Sequence, residues 1–227
     1  MASSHQFETT PPEAPANSWT LSVPAPYVLL VTITRPQQMN SIPFAAHWAM
    51  HKLFGWFDKE PTLRVAVITG EGKKAFCAGQ DLIELAMRGD GSNAGDESGE
   101  NAEDLKTLAN IRSTQSHPPS GFAGISRRTG KKPIIAAVNG FALGGGFEIV
   151  LNCANEALQF QLINKVSKTQ DSVVDEAVAL ASKCAAISPD AVIVSRSAIR
   201  EAWETASIER AYQLSDERWR DALFVSL

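Results

Sequence analysis

Two short segments hold the residues whose types and spacing could do chemistry. The first is A-F-C-A-G-Q-D-L at residues 75–82. A hydrophobic run ends there in small residues, and Asp81 stands where it can cap a following helix. Unpaired N–H groups at such a helix start can hold an anion, or an oxyanion that forms during a reaction. The donor would be the Gln80 amide, so the Gln80 side chain needs no role. The second segment is G-F-A-L-G-G-G-F-E at residues 140–148. Gly144, Gly145 and Gly146 remove three Cβ atoms where backbone must approach something closely. A helix then opens with Glu148 in its first turn. The helix dipole favours a carboxylate there, which makes capping one role for Glu148. The other role is an acid or base beside a second oxyanion donor. No Gly-Lys-Ser/Thr follows, so this is not a phosphate-binding P-loop, and the glycines do not fit the dinucleotide fingerprint.

Other reactive side chains are less well placed. His47 and His51 are four apart, but there is no H-E-x-x-H glutamate and no third ligand. They read as helix-surface or interface residues, and no metal site is expected. Cys77 has no histidine near it in sequence and reads as a small core residue. Arg127-Arg128 and Lys131-Lys132 read as a solvated basic stretch, with a phosphate contact as the alternative.

The elements that must position these groups follow from periodicity and punctuation. Residues 21–23 and 27–34 predict a strand pair. Residues 40–58 predict a helix, with Ile42, Ala45, Ala46, Ala49, Leu53, Phe54 and Phe57 at helical spacing. Residues 64–69 form a buried strand stopped by Gly70 and Gly72, and 133–138 form a third strand that feeds the glycine turn. Helices are expected at 105–113, 172–186, 189–204 and 208–224. The acidic, glycine-rich stretch 89–104 reads as a surface insertion. The polar, proline-bearing residues 1–17 read as disordered. The division is thus a disordered segment 1–17, an α/β core 18–166 and a helical segment 167–227.

Composition sets outer bounds. The chain has 227 residues, is 44% hydrophobic and carries a formal charge of −4. It can bury a sizeable core, and it has no basic field for nucleic acid. Its three cysteines are few and widely spaced, which fits a reducing compartment. No apolar run reaches the ~18 residues of a membrane span. The first arginine is Arg35, so no transit peptide is read at the start. A cytoplasmic location is expected. The final V-S-L is a loose match to the S-K-L address, which leaves the peroxisome as the alternative.

Taken together, A-F-C-A-G-Q-D-L and K-P-I-I-A-A-V-N-G-F-A-L-G-G-G-F-E resemble the enoyl-CoA hydratase/isomerase (crotonase) family. The resemblance extends to Arg35-Pro36, Asn40-Ser41 and R-V-A-V-I-T-G, and resumes at E-A-L-Q-F-Q-L-I-N-K-V. It implies the ClpP/crotonase α/β fold, a core of repeated ββα units with a C-terminal helical segment. It implies an acyl-CoA thioester held by two amides, Gln80 and Gly145, which stabilise an enolate. Glu148 matches the first catalytic glutamate. Ala78, Gln80, Asp81, Leu82, Ile83, Gly144 and Gly145 would line the bound ester. No cofactor is implied, because coenzyme A enters with the substrate. The resemblance also implies a homo-oligomer, a trimer or hexamer.

The family's second carboxylate, in a motif such as F-G-L-P-E, is missing. Cys153 runs straight into Ala154-Asn155-Glu156-Ala157-Leu158, which resembles a helix lying well downstream, so the core reads as incomplete by roughly fifty residues. Glu156 belongs to that helix and does not replace the missing group. Gln161 stands where the family usually has glycine. The join is expected to leave a sheet edge or apolar face uncovered. The alternatives to an active enzyme are a shortened, CoA-ester-binding or oligomerising paralogue with little turnover, or a product of exon skipping or gene-model error.

Overall fold

A computed structural model describes residues 7–16, 18–89, 117–154, 165–211, 213–214 and 217. The helix at 105–113, Glu156 and Gln161 of the join, most of the acidic insertion and most of the helix expected at 208–224 lie outside the described residues.

The chain opens as a hairpin. β1 (Trp19–Ala25) and β2 (Val28–Ile33) pair antiparallel, and Tyr27 makes the turn at φ 64°. β3 (Val65–Gly70) adds parallel to β2, and β5 (Ile134–Ala137) adds parallel to β3, giving the order β1-β2-β3-β5. Every residue of β3 is buried, as a parallel strand covered on both faces requires. Its alternation divides the core. Ala66 and Ile68 face one apolar cluster, whereas Val65 and Val67 face the other.

The first cluster is filled by α1 (Phe44–Lys59) through Ala46, Met50, Leu53, Phe54 and Phe57, and by Ile149 and Val150 of α3 (Gly145–Ala154). The second is covered by α4 (Val173–Ala185), whose Ala177, Ala181 and Ala185 form a small-residue stripe against the sheet. A separate two-stranded parallel ladder joins β4 (Ala75–Cys77) to β6 (Phe141–Ala142). α2 (Leu82–Gly89) follows β4, and α5 (Pro189–Thr205) follows α4.

Three expectations change. The helix expected at 40–58 starts four residues later, at Phe44. Asn40 is buried at φ 55°, and its side chain donates to the Ala75 and Glu71 carbonyls at 2.7 and 3.0 Å. Ile42 bridges to Gln80, and Pro43 is extended. Backbone committed to those bonds cannot also wind into a helix.

The N-terminal residues are not wholly loose, because Phe7 to Thr9 dock on the end of α1. The Glu60 carboxylate accepts from the Glu8 and Thr9 amides at 3.0 and 2.9 Å, and Phe7 packs edge-on against Trp56. Burial opposes ionisation of Glu60, but these bonds and those from the Thr9 and Thr62 hydroxyls hold its pKa down at about 2.

The basic stretch is not wholly solvated either. Arg128 is 5% exposed and ion-paired with Asp58. Lys132 Nζ donates to the Phe57 carbonyl at 2.8 Å, and burial lowers its pKa to about 8. Both cations tie the end of α1 to the approach to β5, and neither is left for a phosphate.

Candidate active site

β4 and β6 run parallel, so the turns that follow them leave the same end of the ladder side by side. The first turn is held by backbone. Ala78 N donates to Met39 O at 3.0 Å, Ile42 N to Gly79 O at 2.8 Å, and Asp81 N to Ile42 O at 3.1 Å. The Gln80 amide between them has no partner among the described residues. Asp81 caps α2 as its position predicted: Oδ1 accepts from Ile83 N and Glu84 N at 3.1 and 3.2 Å. Oδ2 accepts from Arg35 Nη2 at 2.7 Å. Burial works against its charge, but Arg35 and the two amides hold the Asp81 carboxyl below the usual range. It is thus a committed cap and not an acid–base group.

The second turn is built the same way. Leu143 N donates to Cys77 O at 3.0 Å and Gly146 N to Leu143 O at 2.9 Å. Gly144 takes φ 51°, a conformation that disfavours a side chain. The Gly145 amide is unpartnered among the described residues. A Cβ on Gly145 would strike the Phe122 ring, and one on Gly146 would strike the Cys77 carbonyl. The two turns touch, because a Cβ on Gly79 would lie 3.5 Å from Gly145 N. Asn139 anchors the strand end, donating to the Gly70 and Gly72 carbonyls at 2.7 and 2.6 Å and accepting from Gly70 N at 3.2 Å. The arrangement presents two free N–H donors on adjoining turns, one at a helix N-terminus. It can stabilise negative charge developing on one oxygen.

Glu148 lies in the first turn of α3, three residues beyond Gly145, and is exposed. Large apolar side chains on the residues that follow β4 and along β6, its turn and the start of α3 are left open to solvent: Leu82, Ile83, Phe141, Leu143 and Phe147. Of the residues expected to line a bound ester, Gln80 and Gly145 offer free amides and Leu82 and Ile83 offer exposed side chains. The Ala78 and Asp81 amides are already bonded. Cys77 is the buried core residue it was expected to be, with its pKa pushed up to about 11 by burial.

Two readings are overturned. His47 is not on a surface, because its exposure is 0%. The Gln80 side chain is not idle, since its Oε1 sits 2.8 Å from His47 Nε2. Beyond His47 stand Phe122 and His117, with ring centroids 4.5 and 4.6 Å from its own. Phe122 therefore packs between His47 and Gly145. Sequence reasoning missed this wall, although residues 47, 50, 54 and 57 share one buried stripe of α1.

No carboxylate of an F-G-x-P-E type occurs in the sequence. Beside the described end of α3, β5 is the sheet edge among the described residues. A cavity of ≈ 340 Å³ there is lined by Ile135, Val138, Val150, Cys153, Val166 and Val173, among others. None of the residues offering the two amides lines it.

The family model described as enoyl-CoA hydratase/isomerase matches residues 26–154. The chain is 33% identical, over 87% of its length and 84% of the relative's, to a mevalonyl-coenzyme A hydratase of Beauveria bassiana. The aligned span of 247 positions exceeds the chain itself, so that relative carries residues within it that have no counterpart here. It is 38% identical to a carnitinyl-CoA dehydratase of Salmonella arizonae over 55% of its length and 39% of that protein's. Among solved structures, an enoyl-CoA hydratase from Mycobacterium tuberculosis superposes with a TM-score of 0.68 at 21% identity, covering 92% of this chain and 91% of the other.

Proposed function

The chain belongs to the enoyl-CoA hydratase/isomerase family, whose substrates are coenzyme A thioesters, and from that premise we propose that it hydrates the α,β double bond of an acyl-CoA, or runs the reverse dehydration. The observation that carries this is the pair of free amides on touching turns, Gln80 and Gly145, with Glu148 three residues further into the helix. The thioester oxygen accepts from both N–H groups. Charge that moves onto it as water adds at the β-carbon is held by fixed dipoles that need no reorganisation. Glu148 takes a proton from the attacking water, and the enolate takes one back at the α-carbon. The hydroxyl ends on Cβ and the hydrogen on Cα, so no redox partner or cofactor is required. With no second family carboxylate in the sequence, Glu148 serves both transfers.

The names of the relatives favour an acyl group that already bears polar substituents, as in mevalonyl and carnitinyl thioesters. The exposed Leu82, Ile83, Phe141, Leu143 and Phe147 suit burial against the ligand and against further copies of the chain, and we place the active form as a homo-oligomer. A cytoplasmic site of action is our reading, consistent with three free thiols. No single helix among the described residues is long and apolar enough to cross a membrane.

The test is turnover of crotonyl-CoA and of branched, hydroxylated enoyl-CoAs, followed at the enoyl absorbance band. Glu148→Gln should lower kcat by roughly 10²–10⁴-fold. A folded protein that binds these esters without turning any over would replace the enzyme with a CoA-ester-binding paralogue.

A further inference from the structure

We propose that His47, a residue with no contact to the reacting atoms, is a positioning residue that ties the two oxyanion turns together. The inference rests on the reading of the Gln80 and Gly145 amides as the oxyanion hole. Ala123 N donates to His47 Nδ1 at 3.0 Å. An acceptor at Nδ1 places the ring proton on Nε2, which then donates to Gln80 Oε1 at 2.8 Å. The relay therefore runs Ala123 N–H to His47 to the Gln80 side chain, with each group in one role only. Its far end is also constrained. Ala123 holds φ 53°, unusual for a residue with a Cβ, between Gly121 and Gly124, which are also at positive φ. The next residue back, Phe122, fills the space that a Gly145 side chain would need. One imidazole thus joins the residue that donates the first amide to the segment that packs on the second.

The geometry favours function over stability as the reason for this arrangement. Gln80 Nε2 is buried and has no hydrogen-bond partner among the described residues. An orphaned amide donor is a cost that an apolar residue of similar shape would avoid. Gln80 retains its carboxamide because Oε1 is the handle by which His47 holds the turn.

The test uses the full chain and four variants: His47→Leu, His47→Gln, Gln80→Leu and the double His47→Leu/Gln80→Leu. Kinetics are measured beside the absorbance shift of a bound, unreactive enoyl thioester, which reports polarisation of the carbonyl. His47→Leu and Gln80→Leu should each lower kcat roughly 10- to 100-fold with KM changed much less. Both should shrink the spectral shift. The double variant should be no worse than either single one. His47→Gln, which can supply an acceptor and a donor, should restore most of the loss. Gln80→Leu exchanges the orphaned Gln80 Nε2 for an orphaned His47 Nε2–H and should melt close to the wild type, which separates positioning from stability even if His47→Leu folds poorly. A wild-type protein that binds the thioester with no spectral shift overturns the oxyanion reading and this proposal with it. A wild type that polarises the thioester, beside a folded Gln80→Leu that polarises it equally, overturns the role of His47 alone.

Discussion

Acid should loosen this protein through His47 before it protonates the carboxylates. Burial lowers the His47 pKa from the ordinary 6.5 to about 4; the bond to Gln80 works the other way, and the nearby His117 adds to the lowering. The folded state therefore refuses a proton that the unfolded chain accepts. The stability this confers is fully present above pH 6.5 and is lost as pH falls from 6.5 toward 4. A gap of roughly 2.5 units corresponds to about 3 kcal/mol between the two limits, of which about 2 kcal/mol is gone by pH 5. The hydrogen bonds give the same sign. Protonation at Nδ1 would set an N–H against the Ala123 N–H that now donates to it. Among the described residues the groups facing the ring are Gln80, His117, Phe44, Phe122 and the Ala123 amide, and none of these offers a carboxylate to stabilise an imidazolium. Urea unfolding followed by tryptophan fluorescence, in steps from pH 7 to pH 4.5, measures the effect. The wild type should lose about 2 kcal/mol more than His47→Gln between pH 7 and pH 5. The other histidines and the carboxylates are common to both proteins and cancel in the difference. Stability curves that stay parallel across that range would refute the argument, because a buried neutral imidazole cannot leave its titration silent.

Gly146→Ala should be destabilised by about 1–3 kcal/mol or more and lose activity, since the new methyl meets the Cys77 carbonyl and must push the two turns apart; thermal melting and turnover together check this. Glu60→Gln should release Phe7 to Thr9 from α1, seen as faster proteolysis of the N-terminal segment with the core still folded. The wild-type docking should persist down to the ordinary carboxylate range and fade as pH falls from 4.5 toward 2, because its folded pKa is depressed. Asp58→Asn removes the carboxylate ion-paired with buried Arg128 and should cost about 3–5 kcal/mol, whereas replacing both partners with apolar residues of similar size should cost much less.

What was legible in the sequence was the part written in local backbone. A strand ending in small residues, a capping aspartate and a glycine run before a helix specify two turns almost without reference to the rest of the chain. The structure placed Asp81 and Gly144 to Gly146 in those roles. What was not legible depended on partners far along the chain. Arg128 looked like a solvated cation because Asp58 lies 70 residues away. Asn40 and Ile42 looked helical by spacing, but both are taken by bonds to the β4 region. His47 was misjudged by type. Histidine in a helix reads as surface, yet its position matched the stripe of Met50, Phe54 and Phe57. Periodicity there carried more information than polarity.

Where this interior is polar is itself an argument about function. Nine polar or charged residues are buried among those described: Ser18, Asn40, Ser41, His47, Glu60, Thr69, Asp81, Arg128 and Asn139. Five of them hold, through their side chains, the ends of β3 and β4 and the two turns proposed to form the oxyanion hole. Asn40 holds Ala75 O, and Asp81 holds one arm of the Arg35 guanidinium, whose other arm donates to the Ser41 backbone carbonyl. Thr69 and Asn139 secure the end of β3, and His47 holds Gln80. A buried polar side chain stabilises little in net terms and costs heavily when a partner is lost. A core selected for stability alone would have few of them here. A backbone amide, however, cannot be improved by substituting its own side chain; its direction is set only by the residues that grip the turn. The proposed catalysis by two amides therefore needs a polar interior around two turns. The same reasoning predicts that variants at Asn40, Asn139 and His47 will lower kcat by more than their loss of stability explains.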